Sequence, residues 1–190
     1  EGNGYSEAWV KEAKKRGLLN LRRAPEALAQ MNTKHVKDLF TKLNILTAAE
    51  LESRYHVRVE RYVKDVLIEM ETLSEMLDTQ ILPAAYGYLG MLAEGAAKSK
   101  QAGIRVVPQK AAADATGKLV TALQTKTAAL HAAIKRAHAL HGDEAKCAAF
   151  LTSAGHDTMS ACREIADKLE VSIGDAYWPL PRYREMLFPV

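Results

Sequence analysis

Residues 47–90 read TAAELESRYHVRVERYVKDVLIEMETLSEMLDTQILPAAYGYLG, and this stretch decides the fold. It opens on Thr47-Ala48-Ala49-Glu50, a capping-box sequence. The threonine hydroxyl can accept the N–H of Glu50 while the glutamate carboxylate reaches back to the N–H of Thr47. A helix is therefore expected to start there. Apolar side chains recur at Leu51, Tyr55, Val59, Tyr62, Val66, Met70, Leu73, Leu77 and Ile81, in steps of four, four and three residues. That spacing is helical and not the alternation of a strand. The repeat closes in eleven residues, which keeps the apolar seam nearly parallel to the axis. From residue 47 to 81 the rod would span roughly 50 Å, so it needs long partners.

Pro83 interrupts the pattern. It lacks the N–H that would bond the carbonyl of Thr79 and its ring crowds that turn. Two outcomes are open: a kink, with helix resuming through Tyr86, Tyr88, Met91 and Leu92, or a helix end at Leu82 with Pro83 in the first turn of a new helix.

The other elements follow outward from this rod. After a loop spanning Ser99–Pro108, which contains Gly103, a second long helix is expected from about Gln109 to His141, with Leu119, Leu123, Leu130, Ile134 and Ala137 on one side. Gly142 can end it and Asp143 can cap a third, whose apolar face is Cys147, Leu151, Ala154, Thr158, Cys162, Ile165 and Leu169. A two-residue connection makes these two helices antiparallel neighbours. If both pack on the later part of the rod, the part from Thr47 to roughly Lys64 is left for an N-terminal arm or for another surface.

Residues 1–46 read as that arm, a string of short helices. Ser6 caps a first helix carrying Trp9, Val10 and Ala13, and Gly17 ends it. Pro25 starts a second, and Thr33 caps a third with Val36, Leu39, Phe40 and Leu43 on its apolar face. Ile45 is placed to staple the Thr47 cap. At the other end, Trp178-Pro179-Leu180-Pro181 is an extended strap followed by a short helix. This tail, residues 176–190, either staples its own bundle or docks on a neighbouring domain or subunit. The expected fold is all-α: a long kinked helix with two further antiparallel helices forming a bundle over 47–190, an arm before it and a proline-containing tail after it.

The bulk properties agree. In 190 residues, 48% are hydrophobic, only 6% are aromatic and the net charge is +3, which favours closely packed helices. Residues 1–65 hold 13 Lys and Arg against 9 Asp and Glu. These basic residues alternate with acidic and apolar ones, as on a solvated surface, and do not form a nucleic-acid stripe. Cys147 and Cys162 on one helix would lie about 22 Å apart, too far for a disulfide, whose Cα atoms need about 7 Å or less. They read as small core residues of a reducing, cytoplasmic compartment. No signal sequence and no apolar run of membrane-spanning length occurs. The first residue is glutamate, so the chain is expected to be a piece of something longer or a processed product.

Catalytic motifs are missing. There is no P-loop, dinucleotide fingerprint, H-E-x-x-H or G-x-S-x-G, and no glutamate has a histidine three residues later to build a di-iron bundle. His131, His138 and His141, with Cys147 beyond, match no zinc spacing. His156 and Asp157 with Ser153 or Ser160 make a triad on paper alone, since consecutive helical positions face different ways. Glu71 and Glu75 share one face as a wet surface does. Tyr55, Tyr62, Tyr86 and Tyr88 at helical spacing read as core with hydroxyls at its rim.

Three blocks of the chain nonetheless resemble one family. Gly2-Asn3-Gly4-Tyr5-Ser6-Glu7-Ala8-Trp9-Val10-Lys11-Glu12-Ala13 with Arg16-Gly17-Leu18-Leu19-Asn20-Leu21 is similar to the segment following the catalytic sheet of type III glutamine synthetases. Leu51-Glu52-Ser53-Arg54-Tyr55, Glu60-Arg61-Tyr62-Val63-Lys64 and Gln80-Ile81-Leu82-Pro83-Ala84 resemble the long helix of that family's C-terminal domain. Residues Trp178 to Phe188 are similar to its closing motif. Between about Ala93 and Ala176 only the helical, alanine-rich character is shared, and residues 65–79 carry more glutamate than the family pattern.

The resemblance implies the C-terminal portion of an ATP-dependent glutamate–ammonia ligase. ATP, Mg or Mn and the catalytic carboxylates and arginines would then lie in an upstream domain, with none on this chain. It further implies a homo-oligomer of large ring form; the charge pattern and the lack of a spanning apolar run speak for no nucleic-acid and no membrane partner. Trp9, Tyr55, Tyr62, Trp178, Tyr183, Leu187 and Phe188 are the candidate anchors and interface positions. The alternative is an independent helical interaction or assembly module. A metal-binding bundle using His131, His138 and Cys147 is a third reading.

Overall fold

The structure, a computed structural model, describes residues 3–187 apart from the side chain of Tyr183. Phe188 lies outside the described residues. The arm holds α1 (Glu7–Lys15), α2 (Ala24–Met31) and α3 (Lys34–Lys42). The rod is α4 (Ala48–Met76), a π-helical turn (Leu77–Ile81) and α5 (Leu82–Gln101). Then come α6 (Val107–Ala139), α7 (Glu144–Phe150), a second π turn (Leu151–Gly155), α8 (His156–Ser172) and α9 (Tyr183–Leu187). No strand occurs among the described residues.

The capping box forms as read. Thr47 Oγ1 accepts from the N–H of Glu50 at 3.2 Å, and Glu50 Oε2 accepts from the N–H of Thr47 at 2.8 Å. The N–H of Thr47, and after it the Thr47 hydroxyl, donate to the Glu50 carboxylate and hold its carboxyl below its ordinary pKa. Ile45 does not staple the cap; it is exposed, and Leu46, nearer the cap, is half-buried. Ser6, Thr33 and Asp143 cap their helices as expected. Gly142 adopts φ +98°, where a Cβ would be strained, and so lets α6 turn sharply into α7.

At Pro83 the helix neither ends nor restarts. The N–H of Leu82 reaches five residues back to the carbonyl of Leu77, so the turn widens just ahead of the ring. Backbone angles stay helical from Met76 to Leu82. Thr79, whose carbonyl the proline cannot serve, is exposed to water. The rod from Ala48 to Gln101 runs roughly 80 Å.

The third helix runs from Glu144 to Ser172 as expected, with a π turn at Leu151–Gly155 set into it. The extra residue rotates the buried face. Ala148, Thr152, Gly155 and Ala166 join Cys147, Leu151, Cys162 and Leu169 inside.

α6 packs between α5 and α8, and it also meets α4. The core is built around Met70, Leu77, Leu123, Leu130, Leu151, Cys162 and Leu169. Each large side chain contributes about 1.5–3 kcal/mol by leaving water. All nine seam residues of the rod are buried or half-buried. On α6 the interior also takes Thr116 and Thr127, which a purely apolar pattern passes over.

The early part of the rod is occupied by the arm. α2, α3 and α7 pack on α4, and Leu51, Val59 and Val63 are buried there. α1 shares no extensive interface with any of the other described helices. Among the described residues no helix is long and apolar enough to cross a membrane.

Candidate functional site

Two polar seams and one exposed apolar surface are what the fold brings together. The first seam lies between the rod and α6. His131 Nε2 meets Asp78 Oδ2 at 2.8 Å and His138 Nε2 meets Glu71 Oε1 at 2.7 Å. Both partners step by seven residues in opposite directions, as antiparallel helices require. Further along, Gln124 Nε2 donates to Tyr86 Oη at 2.6 Å. The two histidine pairs flank a groove of about 660 Å³ with Ser74, Glu75, Thr79, Ile134 and Lys135 in its walls.

This ladder is not a metal centre. Seven residues put the two histidines about 10 Å apart along the axis, and each is already paired with its own carboxylate. Cys147 faces inward, its Sγ 3.6 Å from the carbonyl oxygen of Ala137. Among the described residues no three His, Cys, Asp or Glu side chains gather around one point. Half-exposed pairs of this kind add little stability and mark the register in which α6 packs on the rod.

The second seam joins the arm to the bundle. Tyr62 Oη and Thr152 Oγ1 are 2.7 Å apart, and Arg23 Nη1 donates to the carbonyl of Thr152 at 2.8 Å. Tyr55, Val59, Ala148 and Ser153 border the same cleft, about 360 Å³ in volume. The tyrosines do not share one pocket: Tyr55 and Tyr62 are here, Tyr86 bonds Gln124, and Tyr88 stacks edge-on against Tyr177 with centroids 5.6 Å apart.

His156 Nδ1 lies 3.2 Å from Ser160 Oγ on α8, but Asp157 forms no hydrogen bond to it. Ser153 Oγ donates to Ala149 O instead. No triad is assembled.

The candidate anchors divide. Trp178 is buried in the core and Leu180 packs against it, so this half of the tail staples its own bundle. Arg182 secures the strap by donating from Nη2 to Ile173 O at 2.7 Å and pairing with Asp175, to which Arg184 also binds. Leu187, by contrast, is exposed. Trp9 lies on α1 beneath the Arg16 guanidinium, 5.8 Å from the ring centroid, and half open to solvent.

Arg23 and Thr152 escaped sequence reading. Their signal was faint: a glycine, Gly155, in an inward-facing helical position, which marks a local change of register.

Residues 1–100 match the family described as the glutamine synthetase C-terminal domain. The chain belongs to that family. A type-3 glutamine synthetase of Dictyostelium discoideum is 33% identical over 193 residues, taking in 98% of this chain and 26% of its own length. A glutamine synthetase of Bacteroides fragilis is 31% identical over 194 residues, covering 99% of this chain and 26% of its own. One from Butyrivibrio fibrisolvens is 30% identical over 197 residues. The chain thus spans about a quarter of the length of the curated relatives it matches. Within this glutamine synthetase C-terminal domain, residues 1–100 take in the arm and the rod, while the relatives align through the last hairpin as well.

Proposed function

We propose that this chain serves as the C-terminal helical portion of an ATP-dependent glutamate–ammonia ligase, bracing a catalytic domain that precedes it and shaping subunit contacts. Its membership of the glutamine synthetase C-terminal domain family, together with a match confined to about a quarter of each relative's length, carries this reading. The cytoplasm is the proposed compartment, and a homo-oligomer the proposed form.

In such a ligase, bound ATP and a divalent metal supply phosphoryl transfer to the γ-carboxylate, ammonia then displacing the phosphate. The residues of this chain do not fit that role. No triplet of metal ligands gathers among the described residues, and the sequence has no phosphate-cradling loop. What this chain does is hold an 80 Å-scale rod rigid by burying its seam against α6 and the arm, so that the surfaces on it keep fixed positions.

The test is glutamine formation from glutamate, ammonia and ATP by the full-length polypeptide, by the same polypeptide truncated before Thr47, and by this chain alone. Turnover by the first, with altered assembly in the second and none in the third, is expected. Turnover by residues 1–190 alone would overturn the assignment of catalysis to another domain.

A further inference from the structure

α1 and the Leu18–Leu21 segment after it form a built surface with nothing on it. Trp9, Val10 and Ala13 share one side of the helix, and Leu18, Leu19 and Leu21 continue the apolar surface. Val10 is 48% exposed, Leu18 54% and Leu19 69%. Between α1 and the returning chain is a hollow of about 620 Å³ whose walls include Trp9, Val10, Leu18 and Leu19. Ser6 caps the helix and Gly17, at φ +75°, ends it, so its conformation is well specified. A helix of nine residues is nonetheless marginal in water without tertiary cover. The other arm helices have that cover, because α2 and α3 pack on α4.

We infer that this surface is the seat of the catalytic domain preceding it in the same polypeptide, an inference that rests on the function proposed above. Two observations choose this occupant over a second copy of the chain. Relatives extend to nearly four times the matched length, and the match is to a C-terminal domain, so the additional chain precedes α1. Any such chain is tethered within about 25 Å of Glu7, which raises its local concentration to the millimolar range. A second copy has no such advantage. Lys14 lines the hollow, and Arg16 stands over Trp9 already paired with Glu12, so the centre of the surface is apolar and its nearest charges are of both signs.

The experiment places photoreactive benzoylphenylalanine at position 19 of the full-length polypeptide, in assemblies mixed from isotopically heavy and light copies. Irradiation is expected to join position 19 to residues upstream of residue 1 within the same copy. Cross-links solely between copies, solely to the helical bundle, or none above background would each overturn the inference. Glutamine formation by the unlabelled polypeptide is measured alongside. Its absence with the cross-link intact would remove the ligase reading and leave the docking surface standing. A second variant, Leu19→Glu, is expected to make the connection between the two parts at least tenfold more sensitive to protease; unchanged sensitivity would count against docking.

Discussion

The Arg23 guanidinium hydrogen-bonds the carbonyl of Thr152 at 2.8 Å across 129 residues of sequence. The π turn permits this. The N–H of His156, which in an α-helix would go to Thr152, reaches back to Leu151, so that carbonyl accepts from the arm instead. Tyr62 of the rod meets the hydroxyl of the same threonine. One residue thus ties arm, rod and last hairpin together.

Replacing Arg23 with Ala removes a charged donor from a partly buried carbonyl and is expected to cost about 1.5–3 kcal/mol. Hydrogen exchange in α2 and α3 should quicken together with the lower denaturation midpoint. Tyr62→Phe should cost about 1 kcal/mol, as a neutral bond does. An unchanged midpoint in R23A would mean that the arm is held by apolar packing alone.

Gly155 and Gly95 should respond in opposite directions to alanine. A Cβ on Gly155 would stand 3.3 Å from both Met70 Sδ and Leu151 Cδ2, side chains with no room to retreat because both are fully buried. Overpacking there is expected to destabilise by about 1–3 kcal/mol. At Gly95 nothing lies within 4 Å, and alanine should stabilise by up to about 1 kcal/mol through helix propensity. Thermal melts of the two variants make the comparison, and stabilisation by both would refute the tight contact.

Burial pushes the Cys162 thiol up to about 11 and raises that of Cys147 as well. An unfolded chain would lose these protons near the ordinary value of 9. Below that pH both states hold them and stability is untouched. Between pH 9 and 11 the unfolded chain holds fewer protons, so stability falls as pH rises. Cys147→Ser with Cys162→Ser should flatten this alkaline slope. At neutral pH, native protein should resist thiol reagents that label the denatured chain rapidly; rapid native labelling would contradict the burial.

Trp178→Ala is expected to cost about 3–5 kcal/mol, as truncation of a buried aromatic does, and to release the strap from Ile173 onward. Its indole N–H is buried without an acceptor. Trp178→Phe removes that unpaired donor while keeping much of the ring, so its cost should be near 1 kcal/mol. A Phe variant as unstable as the Ala one would show that the indole finds a partner in solution.

Much of this architecture was legible beforehand because it is set by neighbours in sequence. The Thr47–Glu50 box, the Ser6, Thr33 and Asp143 caps, the Gly142 turn and the eleven-residue seam involve contacts only a few positions apart. The resemblance to type III glutamine synthetases likewise agreed with the family match over residues 1–100, which takes in the first two blocks, and with the relatives aligned along nearly the whole chain. Pro83 announced a disturbance, but its remedy, the π turn before it, depends on which side chains the rod must keep facing α6.

Sequence alone determined where the helices lie, which residues cap them and the main apolar stripe of the rod, since caps and periodicity act within a turn or two of backbone. Tertiary structure alone decided which polar residues go inside and which pairs meet: Thr116 and Thr127 in the α6 interior, His131 with Asp78, His138 with Glu71, and Arg23 with Thr152. The physical reason is that a hydroxyl or a guanidinium carries no directional preference for a distant partner. Only packing of the rods supplies one, and with it the single register in which those groups come within bonding distance.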